Sequence, residues 1–379
     1  MQQPSLDLKA WIRQAAAGMG FDICGIAPPV VPEQDRQRYL LWLQQGLYGE
    51  MRYMERHERQ DLRQLLPSIR SVICVAMVYH TGHPLSTNCS DPNRGWISRY
   101  AWGEDYHGIL QERLEKLLEE LRTFVNCPFD AKIYVDTGPV LERALAQAAG
   151  LGWIGKNTCL IHPNTGSWFF LGEILTSLEL EPDQPVTDHC GTCTRCIEAC
   201  PTGAITQPYV LDARRCISYL TVELRGTIPE ELRSDMGRHV FGCDICQDVC
   251  PWNGKALVSH LPAFQPRSEE SVFSVPSDLS GSQKAPASTF NPPLDWLASL
   301  TEEEFRRLFR KSAVKRARHS TSLMALSLSK GYRGLLRNVT VAIGNSRQQK
   351  YRPILERLAQ LPDPIIQEHA RWALGRLEK

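Results

Sequence analysis

Eight of the chain's thirteen cysteines fall between Cys190 and Cys250. They read Cys190-x2-Cys193-x2-Cys196-x3-Cys200-Pro201, then Cys216, then Cys243-x2-Cys246-x3-Cys250-Pro251. A short loop carrying three thiolates can curl round one [4Fe–4S] cubane, and the proline after the fourth cysteine stops the chain from refolding as helix. Gly191, Thr192 and Thr194 are small enough to let the first loop close. The chemistry such a segment offers is one-electron transfer.

In two-cluster ferredoxins the fourth cysteine of each run serves the other cluster. By that rule Cys190, Cys193, Cys196 and Cys250 hold one cubane, and Cys200, Cys216, Cys243 and Cys246 the second. Twenty-six residues separate Cys216 from Cys243. The spacing therefore predicts an insertion with structure of its own, in which Ser218–Gly242 face something other than the clusters. Zinc also uses Cys-x2-Cys pairs, but a tetrahedral site does not need three closely spaced cysteines followed by Cys-Pro, twice. Of the other five, Cys24 and Cys74 sit in apolar strand-like runs and read as small hydrophobes. Cys89, Cys127 and Cys159 are scattered, suggesting no catalytic pair, and no disulfide framework is implied.

Such a segment needs a scaffold. At 379 residues the chain has room for two or three domains, each able to bury a core. Lys+Arg (43) and Asp+Glu (42) nearly cancel and 42% of residues are hydrophobic, which excludes a wholly disordered chain. No apolar run reaches the ~18 residues of a membrane span, and the start lacks the order of a signal peptide, so the expected compartment is cytoplasmic. Periodicity predicts a helix over Leu6–Gly18, strands over Phe21–Ile26, Ser71–Tyr79 and Ala131–Val135, a long helix over Tyr106–Val125 and another over Val140–Ala149. An α/β domain is the expected frame. Asp136 opens the turn between the third strand and the following helix, where an aspartate commonly caps. Gly150–Leu175 mixes glycine with Trp153, Trp168, Phe169 and Phe170, a place for close backbone approach. It contains no G-x-G-x-x-G placed after a strand and no Gly-Lys-Ser/Thr phosphate loop, so electrons are expected from outside.

Arg267–Pro293 is rich in Ser and Pro and reads as a linker or long surface loop. Beyond it helices are expected over Thr301–Lys311, Ala313–His319, Leu335–Gly344, Tyr351–Gln360 and Asp363–Leu377, short units of the kind found in helical repeats. From Phe305 to Asn338 there are ten Lys/Arg and no Asp/Glu. A field of that sign suits a phosphate backbone, although a solvated helix face would look the same.

Seven stretches carry a family resemblance: Ile97-Ser-Arg-Tyr-Ala-Trp-Gly-Glu-Asp-Tyr-His107, Val135-Asp-Thr-Gly-Pro-Val-Leu-Glu-Arg-Ala144, Gly150-Leu-Gly-Trp-Ile-Gly-Lys-Asn157, Gly166-Ser-Trp-Phe-Phe-Leu-Gly-Glu173, Arg215-Cys-Ile-Ser218, Gly242-Cys-Asp-Ile-Cys-Gln247 and Gly334-Leu-Leu-Arg-Asn338. Together they run over nearly the whole chain, and the sequence resembles the epoxyqueuosine reductases. The resemblance implies a multidomain protein of α+β or α/β class. Residues 1–180 would form a nitroreductase-like cobalamin-binding domain, 181–262 a ferredoxin-like domain with two [4Fe–4S] clusters, 263–293 a linker, and 294–379 a HEAT-like helical domain that binds tRNA. The implied reaction reduces the epoxide of epoxyqueuosine to the alkene of queuosine at the wobble position of tRNA with a GUN anticodon. Two electrons and two protons enter and water leaves. A cytoplasmic monomer fed by an external electron donor is expected.

The same resemblance assigns Asp136 as proton donor, and places Arg59, Arg99, Tyr106, Asn157 and Ser218 as candidates to hold cobalamin or reach its face. Lys315, Arg316, Arg318, Arg337 and Asn338 match the family's tRNA contacts. Ser320–Tyr332 looks inserted relative to the family's usual spacing, which blurs the alignment of Arg318 and Arg333. No Asp-x-His-x-x-Gly stretch occurs, so no histidine ligand from that motif is expected; no spacing singles out His107. Two rivals share the cofactor signals: a cobalamin-dependent reductive dehalogenase, and a ferredoxin-like carrier with a nucleic-acid-binding tail. The basic tail and absent signal peptide favour the tRNA enzyme over the dehalogenase; uptake of a corrin would separate it from the carrier.

Overall fold

The computed structural model describes residues 5–268, 288–316 and 330–378. Its centre is a four-stranded sheet. Strand β1 (Ile23–Ala27), β2 (Ser71–Val78), β3 (Ala131–Tyr134) and β4 (Phe169–Thr176) lie in the spatial order β1-β2-β4-β3. Every neighbouring pair is antiparallel. The frame is therefore α+β and not the parallel α/β arrangement, because the long connections return each strand beside an oppositely directed one.

Strand β2, Ser-Val-Ile-Cys-Val-Ala-Met-Val, is buried at all eight positions, since both sheet faces are covered. Ile73, Val75 and Met77 face a core with the Ser5–Gly18 helix and Leu110, Leu114, Leu117 and Leu121 of the Tyr106–Val125 helix. Val72, Cys74, Ala76 and Val78 face a second core with Leu62–Ile69 and the Glu142–Ala148 helix. Cys74 is thus the small core residue its sequence context suggested. Asp105 caps the Tyr106–Val125 helix by accepting the His107 N–H, and Asn126 closes it in the left-handed conformation at φ 50°.

Four of the expected C-terminal helices form, as Glu302–Leu308, Lys330–Ser346, Arg352–Ala359 and Pro364–Leu377, and Leu294–Ser299 is a further helix that the periodicity does not mark. The Ala313–Arg316 turn is 3-10; the rest of the expected Ala313–His319 helix, Arg318 and most of Ser320–Tyr332 lie outside the described residues. These helices share one hydrophobic core with Ile97, Ala101, Trp102, Val240 and Phe241. The ends of the expected linker are packed too. Phe264 is buried in the sheet-side core, Ser268 and Ser288 bridge, and the Thr289 hydroxyl donates to the Trp102 carbonyl at 2.7 Å.

The insertion between Cys216 and Cys243 has its own structure, helices Ile217–Val222 and Glu230–Arg233 and strand His239–Phe241. It faces the C-terminal helices. Asn338 Nδ2 donates to the carbonyls of Thr221 and Val240, both at 2.9 Å, and Asn345 Nδ2 to those of Arg233 and Gly237.

Candidate active site and cluster cradle

The eight cysteine thiols gather into two groups. Cys190, Cys193, Cys196 and Cys250, with Lys156, Asn157 and Trp252, line one small void of about 40 Å³. The charges of Cys190, Cys193 and Cys250 all act on Cys196. Cys200, Cys216 and Cys243 act on one another in the same way, and Cys246 sits with Cys216 and Cys243. Burial pushes the Cys196 thiol up to about 11 and Cys216 and Cys243 upward as well, so without a metal these thiols would stay protonated. Soft, partly desolvated sulfurs converging four by four suit an iron–sulfur cubane, whose positive irons replace those protons.

The cradle is built locally. The Arg195–Glu198 and Ile245–Asp248 helices are single turns, which carry Cys196 and Cys246 and lead to Cys200 and Cys250. Lys156 Nζ donates to the carbonyls of Gly191 at 2.6 Å and Cys193 at 2.9 Å, holding the first loop shut from below. Gly242, at φ 69°, lets the chain turn into Cys243; a Cβ there would meet the Ser98 Cβ at 2.5 Å. Asp244 accepts from the Ser98 hydroxyl and from the Arg99 N–H, tying the second cysteine loop to residues 98–99.

Cys159 is not the bystander its sequence context suggested. Its side chain hydrogen bonds to that of Cys246. Asn157 holds it there, donating from Nδ2 to the Cys246 carbonyl at 3.2 Å and accepting the Cys159 N–H at 3.2 Å.

Asp136 stands at the other wall. It leaves β3 in the left-handed region, φ 55°, and its side chain is 56% exposed. It does not cap the helix that follows, which starts at Glu142 with Leu141 before it. Instead Asp136 Oδ2 accepts from the Tyr106 hydroxyl at 3.0 Å and lies 3.0 Å from His107 Nε2. His107 Nδ1 is 2.7 Å from Asp105 Oδ1. Tyr106 is stacked on Phe170, with ring centroids 3.9 Å apart, which fixes its hydroxyl. Burial, then the charge of Asp136, pushes the Tyr106 hydroxyl well above its ordinary range, so it remains a donor.

Two acids that sequence reading passed over lie beneath. The Asp136 N–H donates to Glu142 Oε1. Glu142 is pushed up to about 8, by burial first and then by the charge of Asp136. Glu173, on β4, is fully buried and meets no N–H or hydroxyl donor. Its neighbour is the Glu142 carboxyl, and two carboxyls share a hydrogen bond only when one carries a proton; Glu173 is accordingly pushed well up by burial and by Glu142. A charged residue in the apolar run Phe169-Phe-Leu-Gly-Glu-Ile-Leu-Thr176 was the signal available for it.

Tyr100 connects the walls: Asp136, Asp244 and Glu223 all act electrostatically on its hydroxyl. Beside Glu223 a cavity of about 420 Å³ is lined by Gly49, Glu50, Arg52, Tyr53, Glu223 and Arg225. That cavity is polar-fringed, with Glu50, Arg52, Glu223 and Arg225 beside Tyr53, donors and acceptors of the kind the amide side chains of a corrin would meet.

The remaining candidates are placed as follows. Arg59 is buried and donates to the Val140 carbonyl at 2.9 Å, supporting the Asp136 turn from behind. Arg99 is buried between Trp102 and Trp168 and its guanidinium is taken up by the carbonyls of Thr81, His83 and Pro84. Asn157 lies at the cluster cradle, and Ser218 is half-buried on the Ile217–Val222 helix.

Two of the expected tRNA contacts are corrected. Arg337 is 1% and Asn338 0% exposed. Arg337 donates to the carbonyls of Leu220, Leu224 and Gly226, so both side chains are spent joining the last helices to the insertion. Lys315 is half-buried at the surface; Arg316 belongs to the same 3-10 turn.

Comparison with known proteins identifies the chain. Residues 59–137 match the family described as "Epoxyqueuosine reductase QueG, DUF1730" and 189–253 the "4Fe-4S double cluster binding domain". The epoxyqueuosine reductase of Xanthomonas campestris pv. campestris is 40% identical over 377 residues, covering 98% of this chain and 96% of that protein. This chain belongs to the epoxyqueuosine reductase family. The Escherichia coli enzyme is 38% identical over 371 residues, covering 96% and 88%. A solved epoxyqueuosine reductase bearing an epoxyqueuosine-modified tRNA-Tyr stem loop superposes with TM-score 0.83 at 30% identity, covering 99% of this chain and 92% of that one. The Bacillus subtilis enzyme, solved with its catalytic aspartate loop swung out of the active site, superposes with TM-score 0.80 at 30% identity over 99% and 91%. As a family member the chain is an oxidoreductase with two [4Fe–4S] clusters, which sets the zinc reading aside. Among the described residues no helix is long and apolar enough to cross a membrane.

Proposed function

We propose that this protein reduces epoxyqueuosine to queuosine at the wobble position of tRNA with a GUN anticodon, in the cytoplasm, with electrons from an external donor passing through the two clusters to cobalamin. Cobalamin supplies, when bound, a strongly reducing cobalt centre able to attack a strained epoxide. The observation that carries the reading is Asp136: an exposed carboxyl on a left-handed turn, held by Tyr106 and His107, whose charge reaches the Tyr100 hydroxyl together with those of Asp244 and Glu223. Asp136 acts as the acid for the departing oxygen. Tyr106 fixes its carboxyl, and Arg59 holds the turn in place through Val140. Arg99 acts on the cofactor region indirectly, by fixing residues 81–84 and the Asp244 loop. Asn157 serves the cluster side, and Ser218 is retained as a candidate at the cofactor's edge.

In this reading residues 1–180 are a nitroreductase-like cobalamin domain, 181–262 the two-cluster domain, and 294–379 a HEAT-like domain whose basic surface, with Lys315, Arg316 and Arg318, meets tRNA. Residues 263–293 connect them, and the protein works as a monomer. The deciding experiment is anaerobic incubation of the cluster-loaded protein with epoxyqueuosine tRNA, cobalamin and a strong reductant, followed by nucleoside analysis. Queuosine should form, and Asp136→Asn should reduce its formation ~10²-fold or more while leaving tRNA affinity unchanged. Absence of queuosine from well-loaded protein would overturn the substrate; wild-type turnover by Asp136→Asn would overturn the acid.

A further inference from the structure

Opening an epoxide to an alkene and water consumes two protons, and one carboxyl carries one. We propose that His107 is the second proton store of this site, handing the proton on its Nε2 to the Asp136 carboxylate after Asp136 has given its own to the departing oxygen. The inference rests on Asp136 being the acid. The geometry is a line of three groups: Asp105 Oδ1 to His107 Nδ1 at 2.7 Å, and His107 Nε2 to Asp136 Oδ2 at 3.0 Å. Each ring nitrogen meets a carboxylate oxygen, so the doubly protonated ring is satisfied at both ends.

The imidazole is the most sheltered group of the three, which keeps its proton from free exchange with solvent. The Asp136 side chain is 56% exposed, that of His107 9% and that of Asp105 22%. The ring stacks on Tyr106 with centroids 4.0 Å apart, and Asp105 is anchored as the cap of the Tyr106–Val125 helix, so the imidazole is held at a fixed angle to Asp136. The groups facing His107 are Asp105, Asp136, Tyr106 and, within electrostatic reach, Glu142.

The bookkeeping of atoms closes. The Asp136 O–H bond breaks as the first O–H of the departing oxygen forms. The His107 Nε2–H bond breaks as a new Asp136 O–H forms, and that proton completes the water. His107 is left neutral with its Nδ1 proton held by Asp105, and solvent returns the lost proton between turnovers. The two electrons are those of the established reduction.

The test combines kinetics with a spectrum that does not depend on cobalamin. In 15N-histidine-labelled protein with clusters but no corrin, Asp136→Asn should shift the His107 Nε2 resonance and Asp105→Asn its Nδ1 resonance. With epoxyqueuosine tRNA, His107→Gln should lower turnover ~10²-fold with KM for tRNA unchanged. Asp105→Asn, which keeps the helix cap, should lower turnover about tenfold and move the pH profile, and Asp105→Glu should restore part of it. If Asp136→Asn abolishes turnover while Asp105→Asn leaves rate and pH profile at wild type, the His107 store is overturned and the acid role stands, even should His107→Gln fail to fold. If Asp136→Asn turns over normally, the reading beneath both is overturned. Unmoved nitrogen resonances in both aspartate variants would also overturn the proposal.

Discussion

Glu142 accepts the backbone N–H of Asp136 while its own carboxyl is pressed against that of Glu173. The turn that presents the proposed acid is thus seated on a second acid that keeps its proton near neutral pH. The folded protein holds Glu142 at about 8 against an ordinary 4.5. Below pH 4.5 both folded and unfolded chains carry the proton and its contribution is complete. Between 4.5 and 8 the unfolded chain releases a proton the folded one keeps, so stability falls as pH rises, and above 8 the loss levels off. Glu142→Gln keeps an acceptor for the Asp136 N–H and has no proton to lose. Melting curves from pH 5 to 9 should show the variant gaining on the wild type as pH rises, by ~2–4 kcal/mol at most. A parallel pair of curves would refute the assignment.

The two thiol groups predict unequal effects of cysteine removal. Cys193→Ser takes a ligand from the first group, and iron and sulfide analysis should find about half the wild-type content. Cys159→Ala takes only a neighbour of Cys246, so the content should be unchanged, while the reduction potential of one cluster moves because a hydrogen bond to its sulfur is gone. Loss of iron from Cys159→Ala would make that residue a ligand.

Replacing Arg337 should unmake structure before it weakens binding. Its guanidinium serves three carbonyls of the insertion and one side-chain oxygen, Asn338 Oδ1. Arg337→Ala leaves those carbonyls unpaired in a dry interface, at a cost of about 3–5 kcal/mol. Thermal unfolding should shift down by several degrees. An unchanged melting temperature with weakened tRNA binding would return Arg337 to the role its motif suggested.

Contact between the basic segment and tRNA should show as salt dependence. Affinity for the stem loop should fall steeply with salt, and Lys315→Ala should reduce the slope of log K against log salt by about one. The sequence count of ten positive charges overstates the field, because Arg337 is buried, Arg306 pairs with Glu302 and Arg333 lies 3.8 Å from Asp363. A slope unaffected by Lys315→Ala would move the interface elsewhere.

What could be read in advance was what short-range rules control. The ligand spacing of Cys190–Cys250 placed both cysteine groups, and the buried run Ser71–Val78 and the leucine stripe of Tyr106–Val125 placed sheet and helix to within a residue or two. Direction in the sheet was not legible, because strand pairing is settled by how long connections return, not by the strands themselves. Nor were partners in space. His107 and Asp136 are 29 positions apart and meet only because the Tyr106–Val125 helix lies against the strand that precedes the turn. Arg337 and Asn338 were misjudged for the opposite reason: a basic motif reads as surface until the fold shows carbonyls waiting for it.

The shared core of Ile97, Trp102, Val240 and Phe241 with Leu335, Val339 and Ile343 makes the last eighty-odd residues a structural half of the catalyst and not an appendage. A chain cut after residue 293 would turn those side chains toward water on both flanks of Arg99 and just ahead of Cys243. The C-terminal helices and the segments leading into Arg99 and Cys243 therefore stand or fall as one body, and neither can be trimmed away without baring the other.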